Sequence, residues 1–324
     1  MLCCRLIPVL VLAVLPMTAA AGGFSRGDVL IVTEKDAASG DCFPVHTTLW
    51  IKPAGETAVR VLRRMNFGDP TLTSIVWSPA ESAFLGLTWS TEDTVLVRIE
   101  TDGSLTPLAS LGDSFFYGLV VDRAGNAYTK GASYAHGSFQ YDFMLKVGLD
   151  GSQSRIHFPA GVLTTPSVYA LDLAADQCTL YLGQGGALPR FNLCTGQILP
   201  SFVQDDFTQS FRILPDNGLL ASVHYYTGRY DAEGHRVSTW LQTYGDHEEP
   251  NVLALDSDNV TFWMVSDWSC HTLDPSRLYH VRLDDGSLVS DSLPLGDDDE
   301  GRAVAIAGEW RAATQQVRRR LVGH

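Results

Sequence analysis

The feature that most constrains this fold is a four-strand pattern that repeats along the chain. It is clearest in residues 169–203, where four short segments rich in apolar and β-branched residues are separated by turn residues. The pattern predicts strands at Tyr169–Leu173, Cys178–Leu182, Arg190–Cys194 and Gln197–Val203. A single sheet of this size cannot bury both of its faces, so it needs neighbouring sheets of the same kind.

Copies of the pattern supply those neighbours. The opening of the unit returns at Leu119–Tyr128, Phe211–Val223 and Leu253–Val265, with a looser copy at Ser74–Leu87 and a shorter one at Val304–Trp310. Aligning the copies places six residues at one equivalent position, the start of each innermost strand: Thr73, Tyr117, Tyr169, Ser210, Asn251 and Arg302. Successive residues of this set are separated by 41 to 52 positions in the sequence. Four strands in roughly 40–45 residues are typical of a β-propeller blade.

The two ends of the repeat region complete a ring. Three strands predicted at 28–33, 46–51 and 58–63 have no innermost strand before them, whereas Arg302–Ala307 has strand character and no partners after it. We therefore predict that Arg302–Ala307 pairs with the strand at 28–33, because this pairing removes the free edges of an open array. The expected fold is all-β: a six-bladed β-propeller of four-stranded antiparallel blades over residues 22–310.

The first 21 residues are typical of a secretory signal peptide. Arg5 provides the positive charge, Leu6–Leu15 is apolar but shorter than a membrane span, and Thr18–Ala21 offers small residues for cleavage. The alternative is an uncleaved membrane anchor. We predict a secreted or periplasmic protein with no membrane span after signal cleavage. Residues 311–324 are expected to form a basic, solvated C-terminal tail.

The charge of the chain limits its partners. The formal net charge is −14, and removal of the signal peptide would take away one arginine and no acid. Such an acidic protein is poorly suited to nucleic acid or anionic membranes, and its charge suits cations or simply solubility. We expect a monomer.

The cysteines agree with export. Cys3 and Cys4 would leave with the signal peptide, and an even number remains: Cys42, Cys178, Cys194 and Cys270. An even count in an exported protein predicts two disulfides. A hairpin of 178–182 with 190–194 would place Cys178 opposite Cys194, within reach of a disulfide. Cys42 and Cys270 fall in matching loops of blades that should be adjacent. The alternative is four free buried thiols.

Several segments carry a resemblance to a known superfamily. LVVDRAGNAY (119–128) looks like an NHL-type repeat. Together with LDLAADQCTLYL (171–182), RFNLCTGQILPSF (190–202), RILPDNGLLAS (212–222) and VAIAGE (304–309), it resembles exported bacterial β-propeller proteins of the NHL, SMP-30 and virginiamycin-lyase-like superfamily. The resemblance covers roughly residues 70–310. It implies the fold more than the function, because the matching residues are those that build blades.

The resemblance makes a metal-dependent lactonase or lyase the alternative function, with Ca or Mg as its cofactor. SMP-30-like lactonases hold a metal through Glu, Asn and Asp near the starts of the innermost strands. Of the equivalent positions here, only Asn251 suits a metal, and Arg302 adds a positive charge. We expect Asp172, one step deeper, to bond to a neighbouring blade. A virginiamycin-lyase-like site would need His and carboxylate residues, for which the candidates are His247, Glu248, Glu249, His271 and Glu300.

The leading prediction is a secreted scaffold without catalytic activity, cofactor or metal, which binds a sugar, peptide or protein ligand. The loops that precede the innermost strands, and those between the second and third strands, should form one face. Its aromatic residues would be Trp89, Phe116, Tyr134, Tyr141, Tyr225 and Trp268, among the acids Asp246, Glu249, Asp267 and Glu300. The ligand-binding candidates are Trp89, Tyr134, Tyr225, Trp268, Asn251 and Arg302. The alternative is that several of these aromatics pack between blades.

Overall fold

A computed structural model gives the structure of this chain. It describes residues 23–36, 44–66, 68–90, 93–112, 115–135, 138–140, 143–159, 162, 170–183, 188–202, 208–223, 226–240, 248–268, 276–296 and 300–309, a few of them by backbone alone. In the described part of the chain every regular element is a strand. No helix there is long and apolar enough to cross a membrane.

The strands form six small antiparallel sheets, each of which is one blade of a propeller. Blade one contains β1 (Val29–Asp36), β2 (Pro44–Lys52), β3 (Arg60–Asn66) and the last strand of the chain. Blade two contains β4 (Thr71–Ser78), β5 (Ala83–Trp89), β6 (Thr94–Ile99) and β7 (Leu105–Ser110). Blade three contains β8 (Phe115–Val121), β9 (Ala127–Ala135), the short β10 (Ser138–Gln140), β11 (Phe143–Val147) and β12 (Gln153–His157).

The remaining blades follow the same plan. Blade four contains β13 (Ala170–Leu173), β14 (Thr179–Gly183), β15 (Arg190–Asn192) and β16 (Gln197–Leu199). Blade five contains β17 (Thr208–Ile213), β18 (Leu219–Val223), β19 (Tyr226–Tyr230) and β20 (Arg236–Trp240). Blade six contains β21 (Glu248–Leu255), β22 (Thr261–Trp268), β23 (Arg277–Arg282) and β24 (Leu293–Pro294). The chain ends its regular structure with β25 (Glu300–Ile306).

The predicted closure of the ring is confirmed. β25 pairs antiparallel with β1, and the register joins Val29 to Ile306 and Val32 to Ala303. The sheet order β25-β1-β2-β3 makes β25 the innermost strand of blade one. Both ends of the propeller therefore share one sheet, which leaves no open edge between the first and last blades.

Apolar side chains fill the spaces between adjacent blades. Along β4, Ile75 and Trp77 pack in a cluster with blade one, whereas Val76 packs in a cluster with blade three. This follows from the strand geometry, because successive side chains point to opposite faces of a sheet. The innermost strands also approach closely. A Cβ added to Gly118 on β8 would lie 2.8 Å from the side chain of Leu171 on β13.

Aspartate residues order the turns on the face where the innermost strands end. The Asp102 and Asp150 side chains each accept a hydrogen bond from the backbone N–H two residues later, and each is followed by a glycine with positive φ. Gly286 occupies the matching turn of blade six with φ of 71°. A Cβ there would lie 2.3 Å from the Trp240 ring, so this turn requires glycine for both its conformation and its packing.

The structure contains the predicted disulfide between Cys178 and Cys194. The sequence analysis expected the two cysteines directly opposite each other. The register instead pairs Thr179 with Asn192, so the cysteines lie just beyond the ends of the paired strands and are offset from each other. Their Cα atoms are 5.3 Å apart, which suits the bond. Cys42 and Cys270 lie outside the described residues, so their pairing stays a prediction.

Removal of this disulfide should lower the stability of the protein. The bond closes a loop with a sequence separation of 16 residues, for which chain entropy predicts a loss of about 3 kcal/mol when both cysteines become serine. Urea unfolding of Cys178→Ser/Cys194→Ser against the parent, both without reductant, measures the difference. Peptide mapping under non-reducing conditions should recover Cys178 linked to Cys194. Recovery of Cys42 linked to Cys178 would contradict the pairing.

Candidate functional site

The candidate site is a cavity in the central channel, lined by the innermost strand of every blade. Its volume is about 170 Å³, and its lining includes Ser74, Gly118, Ala170, Ser210, Val252 and Arg302. Among the described strands, each innermost strand pairs on one side only, with the second strand of its own blade. The backbone N–H and C=O groups of its other edge therefore face the channel, which makes the wall polar although many of its side chains are apolar.

Bulges mark the end of the channel where the innermost strands begin, which we call the loop face. The register of four blades skips one residue there, at Thr73, Tyr117, Asn251 and Arg302, which are positions that the alignment of the copies made equivalent. In blade five the skipped residue is Gln209, so the prediction of Ser210 was wrong by one position. Ser210 lies one step deeper and lines the cavity. Tyr169, the equivalent in blade four, lies outside the described residues.

Arg302 forms an ion pair at the mouth of the cavity. Its Nε donates to Glu34 Oε2 at 2.7 Å, and Glu34 comes from the neighbouring strand β1 of the same blade. The arginine side chain is 39% exposed and the glutamate side chain 8%. The carboxylate therefore lies behind the guanidinium and orients it, while solvent reaches the guanidinium from the loop face.

A second arginine closes the other end of the cavity. Arg212 on β17 donates from Nε to Glu309 Oε1 at 3.1 Å, and the two side chains are 13% and 3% exposed. Its Nη1 donates to the backbone oxygen of Phe211 at 2.8 Å. Glu309 also accepts a bond from the backbone N–H of Leu255. Blades one, five and six thus meet at one buried ion pair.

Asp172 completes this floor, as the sequence analysis expected. Its Oδ2 accepts from the backbone N–H of Ile213 in the neighbouring blade at 2.7 Å, and its Oδ1 accepts from Leu173 N–H at 2.8 Å. We call Asp172, Arg212 and Glu309 the floor network. A small cavity of about 10 Å³ lies among these three residues, and Arg212 lines both it and the channel cavity. The floor network therefore separates the channel cavity from the opposite face.

The sequence analysis missed Arg212 and Glu309. The signal that could have identified Arg212 was a comparison of equivalent positions in the innermost strands. At the third position after the start of each innermost strand, three other blades place Val76, Val120 and Ala254, whereas blades four and five place Asp172 and Arg212. Charged residues at positions that are apolar in equivalent strands indicate either a site or a buried pair. Nothing local to Glu309 indicated its partner, which is 97 residues away.

The structure tests some of the predicted aromatic residues. Trp89, at the end of β5, is 38% exposed. Phe116 is 2% exposed and packs between blades two and three, so its prediction as a loop-face residue was wrong. It is buried because its side chain points into the apolar layer between the two sheets. For Tyr134 and Trp268 the structure gives backbone pairing only, with Phe139 and Glu248 respectively.

Most of the other predicted site residues, both for catalysis and for ligand binding, lie outside what the structure describes. This holds for His247, His271 and Tyr225 entirely, and for the side chains of Glu248, Glu249, Asn251 and Glu300. Tyr141 and Asp246 are likewise outside, as is the side chain of Asp267. Among the residues that are described, no three His, Cys, Asp or Glu side chains converge as a metal site does. The predictions for these residues stay predictions.

A polar cluster lies on the opposite face, where blade six meets blade one. Asp256 Oδ2 accepts from Trp263 Nε1 at 2.8 Å and is 3.4 Å from His280 Nε2. The His280 ring stacks on Trp263 at 4.0 Å, and Lys52 Nζ lies 4.9 Å from the centre of the indole. Burial raises the pKa of Asp256, but hydrogen bonds from His280 and Trp263 outweigh it, so the net pKa lies below the usual value. Burial lowers the pKa of Lys52.

We expect Asp256→Asn to cost stability in a pH-dependent way. Because the folded-state pKa is depressed, the ionised carboxylate stabilises the fold above the unfolded value of about 3.9, and this contribution is lost as pH falls through the lower folded value. The variant should be less stable by about 1–3 kcal/mol at pH 7. Urea unfolding between pH 7 and pH 2.5 should show the two proteins converging below pH 4. The exposed Asp291→Asn is the control, and a constant difference across this range would contradict the account.

Comparisons with known proteins give the fold. No family model matches the chain, and no curated protein matches its sequence. One matching solved structure is a chain of a nidogen/laminin complex, at a TM-score of 0.61 and 11% identity, with 88% of this chain and 100% of that chain covered. The fold is a β-propeller. Kuenenia stuttgartiensis hydrazine synthase matches at a TM-score of 0.50 and 15% identity, over 72% of this chain and 68% of that chain. At these identities the likeness shows the fold alone.

Proposed function

We propose that this protein is an exported propeller that binds a polar ligand, or a polar group of a partner protein, at the loop-face mouth of its central channel without catalysing a reaction. The observation that carries the proposal is the channel cavity itself. All six blades line it, Arg302 marks an end that solvent reaches, and the floor network closes the other end. A polar recess that is open on one side suits ligand capture.

Three further observations support the proposal. The nidogen/laminin structure is a complex of two proteins, so a similar fold is found in a partner-bound assembly. Trp89, at the end of a second strand on the loop face, is partly exposed, and such an aromatic suits a sugar or peptide ligand with apolar surfaces. A disulfide within a small hairpin is compatible with export.

Blocking the mouth tests the proposal. Thr73 lines the cavity at a bulge, so Thr73→Trp should obstruct it, whereas Thr239→Trp places the same side chain on an exposed outermost strand. Calorimetric titration with a panel of soluble oligosaccharides, short peptides and small acids should find a ligand of the parent and of Thr239→Trp that Thr73→Trp no longer binds. Absence of any ligand in the panel, or equal binding by both variants, would count against the proposal.

Metal analysis separates this proposal from the lactonase or lyase alternative. A hard divalent cation needs anionic oxygen ligands to offset its dehydration, and the Arg302 guanidinium at the mouth would repel it. Protein purified without chelator should therefore carry no stoichiometric calcium or magnesium. A stoichiometric metal that is lost in Asn251→Ala, together with lactone hydrolysis or elimination that chelator abolishes, would instead establish the enzyme.

A further inference from the structure

We propose that the ligand of the channel cavity carries carboxylate groups, which Arg302 binds at the mouth and Arg212 at the floor. The inference rests on the proposed function, because it names the ligand class of the same site. Its starting point is the charge of the lining. Among the lining residues that the structure describes, the charged ones are Arg212 and Arg302, and both are positive.

The acids that pair with these arginines lie behind them. Glu34 is 2.7 Å from Arg302 Nε and Glu309 is 3.1 Å from Arg212 Nε, yet neither glutamate lines the channel cavity. Each carboxylate therefore accepts a hydrogen bond from the Nε of one guanidinium and orients that guanidinium. A guanidinium is a planar fork of N–H donors that matches the two oxygens of a carboxylate.

Arg212 retains a donor for such a ligand. Its Nε and Nη1 bond to Glu309 and to the Phe211 backbone oxygen, and Nη2 donates to no atom in the part of the chain that the structure describes. An anionic oxygen in the cavity would accept a charge-assisted hydrogen bond from this group. Ser210 adds a further donor, because its Oγ accepts from Leu253 N–H at 3.2 Å while its own O–H can still donate.

The size and polarity of the cavity limit the ligand. Leu119, Leu171, Leu253 and Val304 border the cavity, but their side chains are buried in the clusters between blades, so the wall there is mainly polar backbone. The volume of about 170 Å³ lies below the roughly 300–1,000 Å³ of sites for drug-sized ligands. A small aliphatic dicarboxylate, or the acid side chain of a bound peptide, has the matching size and polarity. We therefore choose small dicarboxylates as the probes.

Calorimetric titration of the full chain with malonate, succinate and glutarate, at matched ionic strength, tests the inference. At least one acid should bind saturably with one site per protein, and increasing NaCl from 50 to 500 mM should weaken it. Arg302→Gln should weaken binding at least tenfold, and Arg212→Lys should do so as well, because lysine lacks the planar fork. Arg98→Gln should bind like the parent, because Arg98 is an exposed arginine of β6 that pairs with Glu100.

Several results would overturn the inference: no saturable binding of any of the three acids, equal affinity for inorganic phosphate, or an equal loss in Arg98→Gln. If Arg302→Gln does not fold, the pair Arg302→Gln/Glu34→Gln removes both charges and must show the same tenfold loss. A sugar or neutral peptide that binds in a Thr73→Trp-sensitive way, with no binding of acids, would remove this inference alone. Failure of every probe in both experiments would remove the proposed function as well.

Discussion

A chain that lacks residues 300–324 is expected to lose cooperative folding altogether. These residues contain β25, whose side chains contribute to the apolar layers on both faces of blade one: Ala303 and Ala305 to one layer, Val304 and Ile306 to the other. Without β25, Val29 to Val32 would lose one of their two partner strands, and two interblade layers would open to water. Exposed strand edges of this kind also promote aggregation.

Two further variants distinguish the effect of losing β25 from the effect of shortening the chain. Removal of residues 310–324 alone should leave the free energy of urea unfolding within about 0.5 kcal/mol, because these residues follow the propeller. A circular permutant should also fold, since Gly27 N–H bonds to Ala307 oxygen at 2.8 Å and the two ends are adjacent. It would join Glu309 to Gly23 through a short linker and open at Gly55 in an exposed turn. Cooperative unfolding of the chain without 300–324, near parental stability, would contradict the closure argument.

The alternation and repetition of apolar residues were sufficient to predict the blades, because a buried sheet specifies its side-chain pattern position by position. The six sheets, their strand order and the pairing of β25 with β1 all follow from that pattern. The error at Ser210 has a physical reason. A bulge adds one residue without changing the apolar pattern that follows it. The apolar pattern therefore predicts the strand, but it does not predict which of two neighbouring residues forms the bulge.

The site was harder to predict than the fold. Arg302 and Asp172 were found because their positions could be compared between copies, and Arg302 was expected at the channel mouth, where the structure shows a bulge. The pairing of Arg212 with Glu309 could not be found, since Glu309 follows the last strand, lies 97 residues from Arg212, and nothing in the repeat pattern links the two residues. The burial of Phe116 was missed because an aromatic beside a loop is compatible with either face until the register is known.

The floor network should contribute strongly to stability. We expect Glu309→Ala to lower the free energy of unfolding by about 3–5 kcal/mol, because it leaves the Arg212 charge largely buried without its carboxylate partner. The change also removes the acceptor for the Leu255 backbone N–H. Urea unfolding at pH 7 measures the loss. Glu233→Ala, at an exposed turn, is the matched control and should change stability by less than about 0.5 kcal/mol.

A double variant distinguishes the cost of an unpaired charge from the value of the ion pair itself. Replacing both partners, as Arg212→Met/Glu309→Leu, removes the two charges together, and apolar replacements of similar size are often nearly neutral. We expect the double variant to be more stable than Glu309→Ala by at least about 1–2 kcal/mol, with a coupling that exceeds additivity. It should also lose dicarboxylate binding, since Arg212 is absent. A double variant less stable than Glu309→Ala would mean that the pair holds the three blades together through its hydrogen bonds, and that charge burial is the smaller effect.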